Sequence, residues 1–154
     1  MRIKDLLLNK GWAGKTLSRE ETAARLNPVI RSHCALNHSH EYAVRSLEDR
    51  DAAEELSTLQ RTARMDVGKL SEAVLSAGGV PFNGTEMEPE DFDLGKCDGD
   101  IVAGLRNMER DFEKLLHAEL GMEHQMRTRA ILEVVLKNTR ARLEYARKLV
   151  LQHC

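Results

Sequence analysis

Apolar and polar residues alternate along this chain on a beat of three and four. In "LNPVIRSHCALNHSHEYAVRSL", residues 26 to 47, the beat falls on Leu26, Ile30, His33, Asn37, His40, Val44 and Leu47. Such spacing marks the inward seam of a helix in a bundle. The seam is apolar at both ends, but its middle is two histidines and an asparagine. A second seam runs through Leu56, Leu59, Ala63, Asp66, Leu70, Ala73 and Ala77. The pair Gly78-Gly79, followed by Pro81, stops that helix. A third stripe, Ile101, Leu105, Met108, Phe112 and Leu115, starts near Asp98 or Asp100, whose carboxylates suit the positive end of a helix. Gly121 breaks it. A fourth helix follows from about Gln125 to Gln152, with Ile131, Leu132, Val135, Leu136, Leu143, Ala146 and Leu149 apolar.

Residues 1–25 read as an N-terminal extension and 26–154 as the bundle. In the extension Ile3, Leu6 and Leu7 form a short apolar turn able to dock. Ser18 and Glu21 have capping-box spacing, which predicts a short helix to about residue 26. Asn27-Pro28 then reads as a fresh helix start, with one helix kinked at Pro28 as the alternative. The polar cluster Glu48-Asp49-Arg50-Asp51 makes a tight turn between the first two helices. Residues 78–97, rich in Gly, Pro, Asp and Glu, form a linker.

Linker length decides the topology. A helix of ~25 residues is ~38 Å long, and ~20 extended residues reach up to ~66 Å. Antiparallel neighbours need only a few connecting residues. The linker is therefore expected to carry the chain back along the bundle, so that the second and third helices run parallel. The fold class is all-α, a four-helix bundle with one long crossover.

Composition narrows the partners. The chain has 154 residues, enough for one domain with one core. Its 23 Lys and Arg nearly balance 25 Asp and Glu, which argues against a nucleic-acid binder. The apolar run Leu6–Leu8 is too short for a secretory signal, and no stretch approaches the ~18 apolar residues of a membrane span. Cys34, Cys97 and Cys154 are odd in number and form no CxxC, so free thiols in a cytoplasmic protein are expected.

Two segments carry a family resemblance. "LNPVIRSH" resembles the opening of the bacterioferritin-type first helix, and "LSEAVLSAGGVP" resembles the end of the second helix of ferritin-like proteins. With the short–long–short connections, the chain resembles the ferritin-like superfamily, of bacterioferritin and rubrerythrin type, over roughly residues 26 to 150. The resemblance implies two metal ions held by a Glu from each of the first and third helices and a Glu-x-x-His from each of the others. Carried over by position, the first Glu falls on His33, and a Tyr one heptad later falls on His40. The second-helix pair falls on Ala63 and Asp66, and the third-helix Glu near Val102. The fourth-helix pair falls on Val135 and Asn138, or one residue later on Leu136 and Thr139. The required carboxylates are missing, and two ions of charge +2 or +3 need them to share a buried site. The chain thus reads as a divergent member with a degenerate di-iron motif.

His33 and Asp66 remain as the candidate metal ligands. His33, Asn37, His40, Asp66 and Asn138 form the candidate buried polar cluster. Its plainer reading is hydrogen bonding, with Asp66 holding a His33 proton between the first two helices; its functional reading is a single divalent ion. His33 and His40 cannot share one ion, since seven helical residues separate them by ~10.5 Å. Glu113 and His117 stand one turn apart and read as a solvated pair rather than a chelate. His124 reads as surface and His38 as off the seam. "RTRAILEVVLKNTRAR" reads as a basic, solvated face of the fourth helix.

Three motifs fail. "NKGWAGKT" has Asn9 where a phosphate loop needs its first Gly. "DGDIVAGLRNME" has Val102 and Ala103 where a calcium loop needs a ligand and a Gly. Cys34 and His33, adjacent on a helix, do not face each other. The expectation is a non-catalytic interaction or stress-associated bundle, a homo-oligomer with no cofactor. The alternative is a ferritin-like protein binding iron, manganese or zinc through an altered ligand set, in redox or storage chemistry.

Overall fold

The computed structural model describes residues 16–153. Four long helices make up the fold: α1 (Arg19–Ser46), α2 (Arg50–Ser76), α3 (Asp98–Leu120) and α4 (Met126–Gln152), with a short 3-10 helix, Pro89–Phe92, in the crossover. No strand occurs among the described residues. The proposed docking of Ile3, Leu6 and Leu7 lies outside them, as does Cys154.

α1 starts where the capping box predicts. Ser18 Oγ accepts the Glu21 backbone N–H at 3.1 Å, and Glu21 Oε1 accepts the Ser18 N–H at 2.9 Å. The fresh start at Asn27-Pro28 does not occur; the helix runs through Pro28 without a second cap. Asn27 serves the crossover instead. Its Nδ2 donates to the Val80 carbonyl at 3.0 Å and its Oδ1 accepts the Phe82 N–H at 2.9 Å. Both bonds hold the chain as it leaves α2.

α2 ends in a Schellman motif. The Gly79 N–H bonds the Val74 carbonyl at 3.0 Å and the Gly78 N–H bonds the Leu75 carbonyl at 2.9 Å. Gly78 takes φ +82°, a conformation that costs glycine little. Gly79 is needed for space, because a Cβ there would lie 2.7 Å from the Ala23 Cβ.

The crossover climbs the flank of α1. The Arg31 guanidinium lies over the Phe82 ring at 5.5 Å. The His38 ring stacks on Phe92 at 4.7 Å. Tyr42 donates to the Gly95 carbonyl at 2.6 Å and lies 2.9 Å from Asp93 Oδ1. The climb ends at the α1–α2 turn, where the Asp98 carboxylate accepts the backbone N–H groups of Glu48 and Asp49 at 2.8 and 2.9 Å. α3 thus starts beside the start of α2, and the two run parallel. At the same end His153 Nε2 lies 3.0 Å from Asp49 Oδ2. The opposite end is closed by the Leu17 N–H on the Glu123 carbonyl at 2.7 Å and by Arg25 on Glu119 at 2.6 Å.

The interior divides into two apolar clusters. One gathers Leu26, Ile30, Leu70, Phe112, Leu116 and Leu132; the other gathers Ala43, Leu56, Ile101, Val102, Leu105 and Leu149. Between them lies the polar stretch of each helix: His40 on α1, Ala63 and Asp66 on α2, Glu109 on α3, Thr139 and Arg142 on α4.

Candidate functional site: an ion cluster at the bundle centre

Polar residues in mid-bundle need partners, because an unpaired buried group loses its hydration without return. The chain supplies them from three helices at one carboxylate. Glu109, fully buried on α3, accepts His40 Nε2 at 2.8 Å and Arg142 Nε at 2.7 Å, both on Oε1. Arg142 Nη2 donates to Thr139 Oγ1 at 3.0 Å. Thr139 in turn donates its hydroxyl to the Val135 carbonyl at 2.7 Å, which leaves its lone pair to face the guanidinium. Burial pushes the Glu109 carboxyl upward, but the His40 hydrogen bond and the Arg142 charge outweigh it and hold the acid below its ordinary range. An ionised Glu109 makes both neighbours donors.

A second pair lies beside this cluster. Asp66, 0% exposed, accepts Asn138 Nδ2 on both carboxylate oxygens, at 3.1 and 3.0 Å. Burial raises its pKa against the opposing effects of Asn138, Arg142 and Lys69. Asn37 is only half-buried, and its backbone carbonyl accepts Gln60 Nε2 at 3.1 Å.

His33 is fully buried but does not bond Asp66, contrary to the sequence expectation. Asn138 bonds both oxygens of that carboxylate, and neither ring nitrogen of His33 has a hydrogen-bond partner. Its ring packs against Phe112 at 4.6 Å. Burial first, then the Arg142 charge, lowers its pKa from 6.5 to about 3, with Glu109 pulling weakly the other way. The imidazole is neutral at physiological pH.

The expected five-residue cluster therefore divides: Asp66 with Asn138, His40 with Glu109, Asn37 half-buried with its carbonyl on Gln60, and His33 alone. Two members were missed. The apolar stripe favours Met108, on a seam one residue out of phase with Glu109; Met108 is half-buried and Glu109 is inside. The basic run predicts a solvated Arg142, yet its side chain is 0% exposed. Val102, where position places the third-helix Glu, lies in the apolar cluster with Leu56, Leu105 and Leu149. His124, expected at the surface, is buried, with Nε2 2.8 Å from Glu119 Oε1. Glu113 and His117 are neither a chelate nor a free pair, because Arg140 bonds both, at 3.2 and 2.8 Å. His38 is off the seam and exposed, as expected.

The helix order, the long crossover and the polar centre define a ferritin-like four-helix bundle. No protein-family model matches the chain, and no curated protein matches it. Among solved structures it is similar to a dodecameric thioferritin, the bacterioferritin-related protein from Bacteroides fragilis, with a TM-score of 0.76. The match covers 97% of this chain and 94% of that one, at 10% identity, so the likeness is one of fold.

A pair of metal ions, which this fold class implies, does not fit the residues present. No group of three or more His, Cys, Asp or Glu side chains among the described residues is arranged to hold an ion. The one carboxylate at the centre of the cluster is already shared by His40 and a fixed positive charge. No helix among the described residues is long and apolar enough to cross a membrane.

Proposed function

We propose that the protein is a non-catalytic ferritin-like subunit, an interaction or stress-associated bundle that assembles with copies of itself in the cytoplasm. The observation that carries this reading is the pairing of Glu109 Oε1 with both Arg142 and His40. A di-metal oxidase centre needs carboxylates free to bridge cations, and here the central one neutralises a guanidinium. Large apolar side chains on the outside, among them Met65, Leu75, Val80, Met126 and Leu151, are 61–88% exposed and open to contact with another copy. The thioferritin of similar fold is itself described as dodecameric.

The second reading keeps an altered metal site, with iron, manganese or zinc on His33 and Asp66. One observation favours it: the free, neutral ring nitrogens of His33. Elemental analysis of untagged protein separates the two. The first reading expects well under one equivalent of transition metal per chain. Two tightly held equivalents, lost on substituting His33 and Asp66, would establish the second. Sedimentation velocity of the same sample reads the assembly, and a strict monomer would remove the oligomeric part of the proposal.

A further inference from the structure

We propose that the centre of the bundle is a cation site that the chain fills with its own Arg142 guanidinium. The inference deepens the proposed function and rests on it, because it says what stands where an external cation has no place.

The observations are geometric. Arg142 is among the largest fully buried side chains. Three helices meet at this point, and the groups on the guanidinium, Glu109 Oε1 and Thr139 Oγ1, are electron-pair donors. α3 supplies Glu109, with Oε1 on the guanidinium and Oε2 buried and unpartnered. α4 supplies Thr139, whose hydroxyl is oriented as an acceptor by its own bond to Val135. α1 supplies His40 on the same carboxylate and His33, buried with both ring nitrogens free. Asp66 on α2 is paired with Asn138 beside this cluster. A buried carboxylate and an acceptor-oriented hydroxyl on adjacent helices are an environment for positive charge. At Glu109 and Thr139 the Arg142 guanidinium brings that charge, while Lys69 Nζ lies 3.9 Å from Asp66 Oδ1. Arg142 Nε and Nη2 are satisfied, and only Nη1 lacks a partner.

An alternative is that Arg142 merely fills volume, in which case an apolar side chain of similar length would serve as well. Physics separates the two. Removing one member of a buried ion pair strands the other as an uncompensated charge, whereas exchanging the whole group for apolar residues is often neutral. The charge, not the shape, is what the site requires.

Chemical rescue of Arg142→Ala tests this. The substitution removes the guanidinium and its stem but leaves Glu109, Thr139 and His40 in place. Melting temperature is followed against millimolar ethylguanidinium, for the wild type, Arg142→Ala, and Arg142→Ala with Glu109→Gln. The expected result is a rise of about 3–6 °C in Arg142→Ala at tenfold over the dissociation constant, with no rise in the other two. No rise in Arg142→Ala, or an equal rise in all three, overturns the proposal. Should Arg142→Ala fail to fold, Arg142→Lys and Arg142→Met replace it. Lys melting well above Met supports the cation site, and Met equal to or above Lys overturns it. Failure here is distinct from failure of the functional reading: two metal equivalents in the native protein sink that reading whatever the variants do. A metal-free native protein whose Arg142→Ala variant shows no rescue sinks only this inference.

Discussion

Lowering the pH from 7 to 5 should destabilise the protein through one imidazole. His33 is fully buried, next to Phe112 and within the field of Arg142, and its pKa in the fold is about 3. Unfolded, it titrates near 6.5. A histidine whose folded pKa is depressed takes up a proton on unfolding wherever the pH lies between the two values. Stability is therefore unaffected by His33 above about pH 7, falls as the pH drops through 6.5, and levels off only near 3. Between pH 7 and 5 the loss works out at about 2 kcal/mol, or about 4–8 °C in melting temperature for a domain of this size. Other groups titrate in the same window, so the informative quantity is a difference. Urea denaturation of the wild type and of His33→Leu from pH 8 to 5 should give curves that diverge in acid, with the variant losing about 2 kcal/mol less. At pH 8 the leucine should already match or exceed the wild type, since it removes two buried ring nitrogens that no partner satisfies. Parallel curves would refute the argument. So would an NMR titration of the native protein in which the His33 ring protonates above pH 5.

The structure gives two further expectations. A double-mutant cycle between Asp66 and Asn138, each to Ala, should show coupling of at least about 1 kcal/mol, while His33 and Asp66 should be additive within about 0.5 kcal/mol, because Asp66 bonds Asn138 and not His33. Gly79→Ala should lower stability by about 1–3 kcal/mol in urea melts, since its methyl would meet the Ala23 Cβ at 2.7 Å and push the crossover off α1; a neutral substitution would show that this approach is looser than the structure has it.

How much of the fold the sequence discloses depends on whether a signal is local. The end of α2 is written in Gly78-Gly79, one residue for conformation and one for space. The start of α1 is written in Ser18 and Glu21. The parallel run of α2 and α3 follows from linker length alone. Asn27-Pro28 shows the limit. The pair carries a helix-start signal by composition, but α1 is already propagating from Ser18, and extending a helix is far easier than nucleating a new one. The side chain of Asn27 is then free for the crossover, 53 and 55 residues away in sequence, a use that no local pattern encodes.

The site is harder for a reason of charge. A sequence pattern assigns apolar residues inward and charged ones outward, and this succeeds wherever a group is buried for its hydrophobicity. Glu109 and Arg142 are buried for each other. Neither makes sense inside alone, so any rule that weighs residues one at a time places both outside. The signal lies in the pair: Glu109 continues the inward phase from Leu105 to Phe112, and Arg142 follows Thr139 by one turn and Val135 by two on the buried face of α4. Opposite charges on the inward phases of two adjacent antiparallel helices mark a buried ion pair. The histidines of α1 were visible because their seam is otherwise apolar at both ends, but their roles were not. His40 finds a carboxylate 69 residues on, and His33, one heptad earlier, finds none. The same seam, residue type and spacing yield one satisfied imidazole and one unsatisfied, and the difference lies in α3, where Glu109 faces the first and Phe112 the second.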